Sequence, residues 1–248
     1  YEQFCVEMPT FTYSGRDRQS GELTQGGYSD HVIVRQEFVC RVPDNLDMAR
    51  AAPLLCVGIT TYSPLRRFAV GPGQRVAVVG LGGLGHMGVK LAAAMGAHVT
   101  MVTTSPEKGE DARQLGADEV LVSTDEQAMT DAAGRFHFVL DTIPVAHDVQ
   151  PYLNLLGPHG ALVLVGALEP LPGVNGFNLI FGNRVLAGSA IGGLAETQEM
   201  LDFCAEKNVL PDIEIIRADE INQAWDRLKK GDVRYRFVID MATLGEAA

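Results

Sequence analysis

Residues 76–88 read VAVVGLGGLGHMG, a short apolar run that leads directly into a cluster of glycines. The run Val76–Val79 is continuous rather than alternating, as in a strand that is buried on both faces of a parallel sheet. Apolar residues then recur at helical spacing, at Leu84, Met87, Leu91 and Met95. The segment therefore predicts a strand, a tight glycine turn and a helix.

The glycines fit the GxGxxG pattern of dinucleotide-binding loops. Gly80 permits a tight turn, Gly82 lets the backbone approach a pyrophosphate, and Gly85 allows the helix to pack closely on the strand. The helix N-terminus adds free N–H groups and a positive dipole end for phosphates. Because the pattern lies between a predicted strand and a predicted helix, we interpret it as a cofactor site that also includes Gly83 and Leu84. Turn glycines without a ligand are the alternative.

The alternation of strands and helices continues along the chain. Further strands are predicted at His98–Val102, Glu119–Val122, Phe136–Leu140, Ala161–Val165 and Val185–Ser189. Helices are predicted between them, around Glu107–Leu115, Glu126–Ala133 and Val149–Leu156. Strands and helices in this order are typical of an α/β protein with a doubly wound parallel sheet, the Rossmann fold.

The flanking segments have a different pattern. Residues 1–45 contain strand-like runs between turn signals, with strands predicted at Tyr28–Val34 and Val39–Val42, which favours a small antiparallel β domain. Residues 47–69 have a helical pattern. Further elements are predicted after Gly193, a helix over Glu196–Glu206, a strand over Ile213–Ile216, a helix over Asp219–Lys230 and a strand over Tyr235–Ile239. We therefore divide the chain into residues 1–60, 61–194 and 195–248, with the dinucleotide-binding domain in the middle.

Composition restricts the class of protein. The chain has 248 residues, of which 46% are hydrophobic and 21% charged, as in ordinary globular proteins. Its net charge of −11 argues against a nucleic-acid partner, because phosphate binding needs clustered Lys and Arg. No apolar run approaches the roughly 20 residues that cross a bilayer, so neither a membrane span nor a secretory leader is expected. The four cysteines are far apart, which favours a reducing, cytoplasmic location over a disulfide framework.

The choice between NAD(H) and NADP(H) is made near Thr103, at the end of the second predicted strand of this domain. The sequence from Thr103 to Lys108 reads TTSPEK, with no acidic residue before Glu107. The hydroxyls of Thr103, Thr104 and Ser105 and the ammonium of Lys108 suit a ribose 2′-phosphate, so NADP(H) is predicted. The alternative is that Ser105 caps the next helix and Lys108 is only solvated; both interpretations can hold together.

With the glycine loop placed, longer stretches become recognisable. The chain resembles the zinc-dependent medium-chain dehydrogenases, and within them the cinnamyl alcohol dehydrogenase-like branch. The resemblance is carried by residues 24–28 (TQGGY), 52–65 (APLLCVGITTYSPL), 80–88, 191–206 and 232–240. It implies a GroES-like, β-rich catalytic domain that is split around the Rossmann domain. It also implies that part of the catalytic domain lies upstream of residue 1.

The resemblance implies zinc ligands as well as cofactor contacts. Cys56 matches a catalytic zinc ligand, Cys5 matches one of the structural zinc cysteines, and Thr60 matches a residue against the nicotinamide. A thiolate suits this role because soft sulfur ligands hold Zn²⁺ while an open position polarises the alcohol oxygen. From the residues alone, an isolated Cys such as Cys56 is more often a small buried hydrophobe. Since the other ligands are expected upstream, we expect the 248-residue chain alone to lack zinc-dependent turnover.

Further cofactor residues follow from the same resemblance. Thr142, Gly166 and the segment Ser189–Gly192, which includes Ile191, match positions lining the cofactor, and Arg236 matches a residue that reaches the pyrophosphate. The alternatives are a strand-end turn for Gly166 and a surface charge for Arg236.

The implied activity of the intact protein is reversible hydride transfer between NADP(H) and a primary alcohol/aldehyde pair, with zinc stabilising the alkoxide. The expected partner is a small-molecule substrate, and a homodimer is one expected assembly. Two alternatives stay open. A zinc-free medium-chain quinone or enone reductase would leave Cys5 and Cys56 unexplained. A non-catalytic dinucleotide-binding module would need neither zinc nor substrate.

Overall fold

The computed structural model describes residues 2–7, 9–166 and 169–245. Its strands are β1 (Tyr13–Arg16), β2 (Leu23–Gln25), β3 (Arg75–Val79), β4 (His98–Thr103), β5 (Glu119–Val122), β6 (Phe136–Asp141), β7 (Leu156–Leu164), β8 (Val185–Gly188), β9 (Ile213–Arg217) and β10 (Arg236–Asp240). Its α-helices are α1 (Met48–Ala51), α2 (Val57–Arg67), α3 (Gly85–Ala94), α4 (Lys108–Gln114), α5 (Glu126–Asp131), α6 (Gln150–Asn154), α7 (Gly176–Gly182), α8 (Leu194–Lys207) and α9 (Ile221–Lys229). Within the described ranges, none of these helices has the length and apolarity to cross a membrane.

Six strands form one parallel sheet in the order β5-β4-β3-β6-β7-β8. This is the strand order of the doubly wound dinucleotide-binding fold, so the predicted Rossmann sheet is confirmed. The order reverses between β3 and β6, and ligands of such sheets bind outside the carboxyl ends of the strands at this switch point. The glycine cluster follows β3 directly and therefore lies at that position.

Two apolar layers cover the sheet. Val76 and Val78 of β3 pack into one cluster with residues of α2, α3 and α8, whereas Ala77 and Val79 pack into a second cluster with Leu153 of α6. Successive side chains of a strand point to opposite faces, so a strand covered on both faces is apolar throughout. This explains why Val76–Val79 is apolar without alternation.

The apolar clusters do not stop at the expected domain boundaries. The first cluster includes Leu46 and Ala51 from before residue 60, and Met200 and Cys204 from after residue 194. Helix α2 also runs across residue 60. The division into three segments stays an expectation, and the packing joins all three into one core.

The N-terminal segment differs from its prediction. Strands were expected at Tyr28–Val34 and Val39–Val42, but the described chain has no strand in either segment, and β1 pairs antiparallel with β2 instead. The prediction was wrong because a strand needs a neighbouring edge to pair its N–H and C=O groups. Val32 is 80% exposed and Ile33 is 100% exposed, with no strand beside them in the described residues. The elements after residue 193 do form as predicted, and β9 and β10 pair in parallel on either side of α9.

Candidate cofactor cleft

A cleft of about 460 Å³ opens at the carboxyl ends of β3, β4 and β6. Of the predicted cofactor residues, its walls include Gly80, Gly82, Gly83, Leu84, Thr103, Thr104, Lys108, Thr142 and Arg236. Other predicted residues lie outside these walls, namely Gly85, Ser105, Gly166, Ser189 and Ile191. The cleft is of the size that small-molecule and cofactor sites have.

Sequence reasoning missed other residues of the cleft wall, including Leu81, Ser123, Ile143, Pro144 and Tyr152. Ile143 and Pro144 directly follow Thr142 at the end of β6, so the carboxyl-end rule for parallel strands could have found them. The same rule could have found Ser123, which directly follows β5, whereas Tyr152 lies in α6 and no local motif marks it.

The glycine loop has the geometry that its motif requires. Gly80 adopts φ +90°, which favours glycine, and its N–H donates to Val102 O over 3.0 Å. A Cβ added to Gly85 would lie 1.8 Å from Gly80 O, so α3 begins in direct contact with the turn. A Cβ added to Gly82 would meet no protein atom within 4 Å. Gly85 therefore serves packing, whereas Gly82 faces open space in the cleft.

Thr142 ties the end of β6 to this turn. Its hydroxyl lies 2.7 Å from Val79 O and 3.0 Å from Gly80 O and donates to these carbonyls, and its N–H donates to Val79 O over 3.1 Å. Gly166 is buried behind it, since an added Cβ would lie 2.7 Å from Thr142 O. Gly166 thus permits the close approach of two strand ends, which agrees with the strand-end interpretation and does not test a cofactor contact.

Arg236, the first residue of β10, brings a cation to the glycine loop. A Cβ added to Gly83 would lie 2.5 Å from Arg236 Cζ, so the guanidinium rests on the loop. Its Nε atom is enclosed and has no hydrogen-bond partner in the described part of the chain. Burial lowers the pKa of Arg236, although a guanidinium stays protonated in proteins. A buried donor without a partner costs free energy, and a pyrophosphate oxygen would satisfy it. The residues present therefore fit a dinucleotide.

The residues that are predicted to distinguish NADP(H) from NAD(H) lie at the far end of the cleft. Thr103 is buried and its Oγ1 accepts from Ser105 N over 3.2 Å, while Thr104 and Lys108 are exposed. Helix α4 begins at Lys108 with Glu107 at its N-cap position, so the alternative that Ser105 caps this helix is wrong. No acidic residue is found among the described residues that line the cleft. A cleft with two cations and no carboxylate, in a chain of net charge −11, favours an anionic ligand.

A buried carboxylate supports the loop on the β6 side. Asp141 is fully buried and accepts from His147 Nε2 over 2.7 Å and from Ile143 N over 3.0 Å. Burial raises the pKa of Asp141. Burial lowers the pKa of His147, but its hydrogen bonds to Val145 O and to Asp141 outweigh burial and raise this pKa overall. The pair closes the loop that brings Ile143 and Pro144 into the cleft wall.

A second cleft of about 490 Å³ adjoins the first, and Arg236 lines both. Cys56 lines this second cleft at a break in the helix, between the 3₁₀ turn Ala52–Leu55 and α2. Cys56 is exposed, so its interpretation as a buried hydrophobe is wrong. Thr60 lies one turn further along α2, is buried, and donates its N–H to Cys56 O over 3.0 Å.

The residues present do not by themselves fit a zinc ion. The described part of the chain contains no group of three His, Cys, Asp or Glu side chains that could hold a metal. Cys5 is exposed and follows the 3₁₀ turn Glu2–Phe4. Cys5 and Cys56 are thus single candidate ligands, and no chemical step can be derived through zinc from these residues.

Comparison with known protein families gives a consistent result. A family model for zinc-binding dehydrogenases matches residues 83–206. A probable formaldehyde dehydrogenase, AdhA, of Bacillus subtilis (strain 168) is 49% identical over 243 residues, covering 98% of this chain and 69% of that protein. The aldehyde reductase YahK of Escherichia coli (strain K12) is 50% identical over 245 residues, covering 98% of this chain and 70% of that protein.

Solved structures agree with these relatives. The cinnamyl alcohol dehydrogenase SbCAD4 from Sorghum bicolor (L.) Moench superposes with a TM-score of 0.89 at 47% identity, covering 92% of this chain and 66% of that one. A cinnamyl alcohol dehydrogenase from Helicobacter pylori, complexed with NADP(H), superposes with a TM-score of 0.88 at 40% identity, covering 97% and 69%. The chain therefore spans about two thirds of the length of its structural relatives.

Proposed function

This chain belongs to the zinc-dependent medium-chain alcohol dehydrogenases, and on that premise we propose that it binds NADP(H) for hydride transfer to and from a primary alcohol/aldehyde pair. The observation that carries this proposal is the cleft at the switch point of the sheet, which joins a glycine loop to two cations and has no carboxylate among its described residues. The relatives named as dehydrogenases and reductases support an enzyme over a non-catalytic module. The zinc-binding family supports it over a zinc-free quinone or enone reductase.

The cofactor contacts divide the cleft in two. The backbone N–H groups of the glycine loop and the free Nε of Arg236 would donate to the pyrophosphate. Thr103, Thr104 and Lys108 would receive the ribose 2′-phosphate, with Ser105 beside them, since hydroxyls and an ammonium donate to phosphate oxygens. Thr142 would hold the glycine loop in place from β6.

The nicotinamide end is assigned to the segment Ser189–Gly192 and to Thr60. Ser189 N donates to Leu164 O over 3.1 Å, which fixes the segment at the carboxyl end of the sheet. Ile191 has φ +37°, a conformation that is rare for a β-branched residue. Backbone strain of this kind is concentrated at functional sites, and it supports a cofactor role for this segment.

Zinc, when bound, would polarise the alcohol or carbonyl oxygen of the substrate. We propose that Cys56 contributes one ligand to the catalytic ion and Cys5 one ligand to a structural ion. Among the described residues neither cysteine belongs to a group of three possible ligands, so each is proposed as a single ligand. The part played by this chain's own residues is to hold the dinucleotide in one orientation.

Cofactor preference tests the proposal with the chain as it stands. We expect NADPH to bind more tightly than NADH, as measured by fluorescence titration. Lys108→Ala should weaken the binding of NADPH about tenfold or more and leave the affinity for NADH nearly unchanged, because a hydrogen bond to a charged group contributes about 1.5–3 kcal/mol. Thr103→Asp should shift the preference toward NADH, since a carboxylate repels a 2′-phosphate and accepts from a 2′-hydroxyl.

Lys229→Ala is the matched control, because Lys229 is an exposed lysine that does not line the cleft. It should change neither affinity. Tighter binding of NADH by the wild type, or equal losses of both cofactors in Lys108→Ala, would contradict the assignment.

We also propose a homodimer and a cytoplasmic location. β8 is the last strand on one side of the sheet, and beside it α7 exposes Phe177, Ile180 and Phe181 by 62–75%. An open strand edge next to exposed aromatic side chains favours pairing with a second copy. Light scattering should show a dimer that Phe181→Asp dissociates, and a monomeric wild type would reject the dimer.

The proposed cytoplasmic location is supported by the four cysteines, which are free, as suits a reducing compartment.

A further inference from the structure

His86, in the first turn of α3, is a fully buried histidine directly beneath the glycine loop. Its Nδ1 atom lies 3.2 Å from Gly82 O. Its ring stacks on Tyr235, with centroids 4.8 Å apart and planes inclined by 17°. The Nε2 atom has no hydrogen-bond partner within the described residues. One side chain therefore contacts both the glycine loop and the residue that precedes Arg236.

The protonation state of His86 follows from these contacts. Gly82 O can only accept a hydrogen bond, so Nδ1 carries the proton and donates. A second proton on Nε2 would be buried without an acceptor. Burial lowers the pKa of His86 to about 4. The hydrogen bond to Gly82 and the charge of Asp212 oppose this shift, and the charges of Lys90 and Arg236 add to it. The ring is therefore a neutral donor at physiological pH.

The same ring also positions the start of β10. Tyr235 directly precedes Arg236, whose guanidinium rests on Gly83. Tyr235 N donates to Asp212 O over 3.0 Å, and the Asp212 carboxylate accepts from Lys90 of α3 over 2.7 Å. The cationic side of the cleft is thus docked onto α3 at two points, the stacked rings and the Lys90–Asp212 ion pair.

We propose that His86 is a positioning residue for the dinucleotide, which aligns the glycine loop through Gly82 and aligns Arg236 through Tyr235. The inference rests on the proposed NADP(H) function. Histidine meets both requirements because it combines an aromatic face with a donor next to Cγ. Phenylalanine keeps the face and loses the donor, and asparagine keeps a donor at the place of Nδ1 and loses the ring.

The two halves of this role can be measured separately on the 248-residue chain. Titration with NADPH should show about two- to tenfold weaker binding in His86→Phe, the range expected for one neutral hydrogen bond. His86→Asn should weaken NADPH by a similar factor, the range expected for one aromatic pair. In an Arg236→Gln background, His86→Asn should have no further effect, because its contribution passes through that arginine.

A ligand fragment distinguishes positioning from general destabilisation. Adenosine 2′-phosphate carries the 2′-phosphate but no pyrophosphate, so its affinity should be the same in the wild type and in both His86 variants. Calorimetric titration measures it, and circular dichroism melts report the folded state. If His86→Asn does not fold, Tyr235→Leu takes its place in these titrations, because it removes the same ring stack by changing the other partner.

The outcomes separate the two proposals. A wild type that does not bind NADPH would overturn the proposed function and this inference with it. A wild type that binds NADPH, together with His86 variants of unchanged NADPH affinity, would overturn the inference alone. Equal losses of NADPH and adenosine 2′-phosphate would also overturn it, since they would show that His86 only stabilises the fold.

Discussion

The addition of one methyl group to either of two glycines of the same loop should weaken NADPH binding, but only one of the two substitutions should destabilise the fold. In Gly85→Ala, the new Cβ would lie 1.8 Å from Gly80 O, whereas real Cβ contacts are essentially never shorter than 3.0 Å, so the atoms must separate by at least 1.2 Å (3.0 minus 1.8). The opposing atom belongs to the backbone. It is held by the Thr142 hydroxyl over 3.0 Å, so it cannot rotate away.

The expected magnitudes follow from this difference. Gly85→Ala should destabilise the protein by about 1–3 kcal/mol or more, the cost of forcing extra volume into a packed site, and should weaken NADPH because α3 must move away from the turn. Gly82→Ala meets no protein atom within 4 Å. It should leave stability unchanged or raise it by about 0.4–1 kcal/mol, because alanine restricts the unfolded chain. It should still weaken the binding of NADPH about tenfold or more, or about 1.4 kcal/mol, since its methyl group occupies the approach of the pyrophosphate.

Urea unfolding and NADPH fluorescence titration on the two variants test this reasoning. The pattern that supports it is a stable Gly82→Ala that binds poorly beside an unstable Gly85→Ala. Wild-type NADPH affinity in Gly82→Ala would show that the cofactor backbone does not approach this glycine. Wild-type stability in Gly85→Ala would show that the contact with Gly80 does not determine the packing of the loop.

Three further outcomes are expected. The pKa of His86 is about 4 in the folded protein against an ordinary value of 6.5, so the unfolded chain binds more protons between these two pH values. The free energy of unfolding should therefore fall by about 3 kcal/mol from pH 6.5 to pH 4. In His86→Phe, urea unfolding should lack this contribution to the pH dependence of stability. Asp141→Ala should cost about 3–5 kcal/mol in the same assay by breaking a buried pair, and His147→Gln, which keeps a donor, should cost less. In zinc-loaded protein, Cys56→Ser should lose catalytic zinc, measured by metal analysis, and nearly all turnover while keeping NADPH affinity. Unchanged zinc content would reject Cys56 as a ligand.

The sheet could be predicted because its signals are local. Each strand of the Rossmann unit is a short apolar run between turn residues, and the starts of β3, β4, β5, β6 and β8 lie within one residue of expectation. The two N-terminal strands failed because pairing is not local. Val32 and Ile33 have the composition of a strand, but the described chain provides no edge for them. Helix α7 was not predicted, since its exposed aromatic residues do not give the sequence one apolar and one polar face, as in an amphipathic surface helix.

The residues of the candidate site likewise fall into those that a local sequence pattern can locate and those that only the tertiary structure brings together. The glycine loop and the segment from Thr103 to Lys108 are continuous in sequence, so a motif can locate them. Tyr152 reaches the cleft from α6, and His86 acts through a ring stack with Tyr235, which is 149 residues away (235 minus 86). Such contacts depend on how β10 docks onto α3, and no spacing along the chain encodes that docking.

The position of Arg236 explains how cofactor binding and chemistry can share one chain. This residue lines both the cofactor cleft and the cleft that holds Cys56. A pyrophosphate at the free Nε would therefore bind at the boundary between the two clefts. Hydride transfer requires the nicotinamide and the alcohol carbon to meet, and this boundary is where a dinucleotide anchored on the glycine loop can extend toward Cys56. The docking of β10 onto α3 by His86 and Tyr235 thus positions the cofactor cleft relative to the cleft of the proposed zinc ligand.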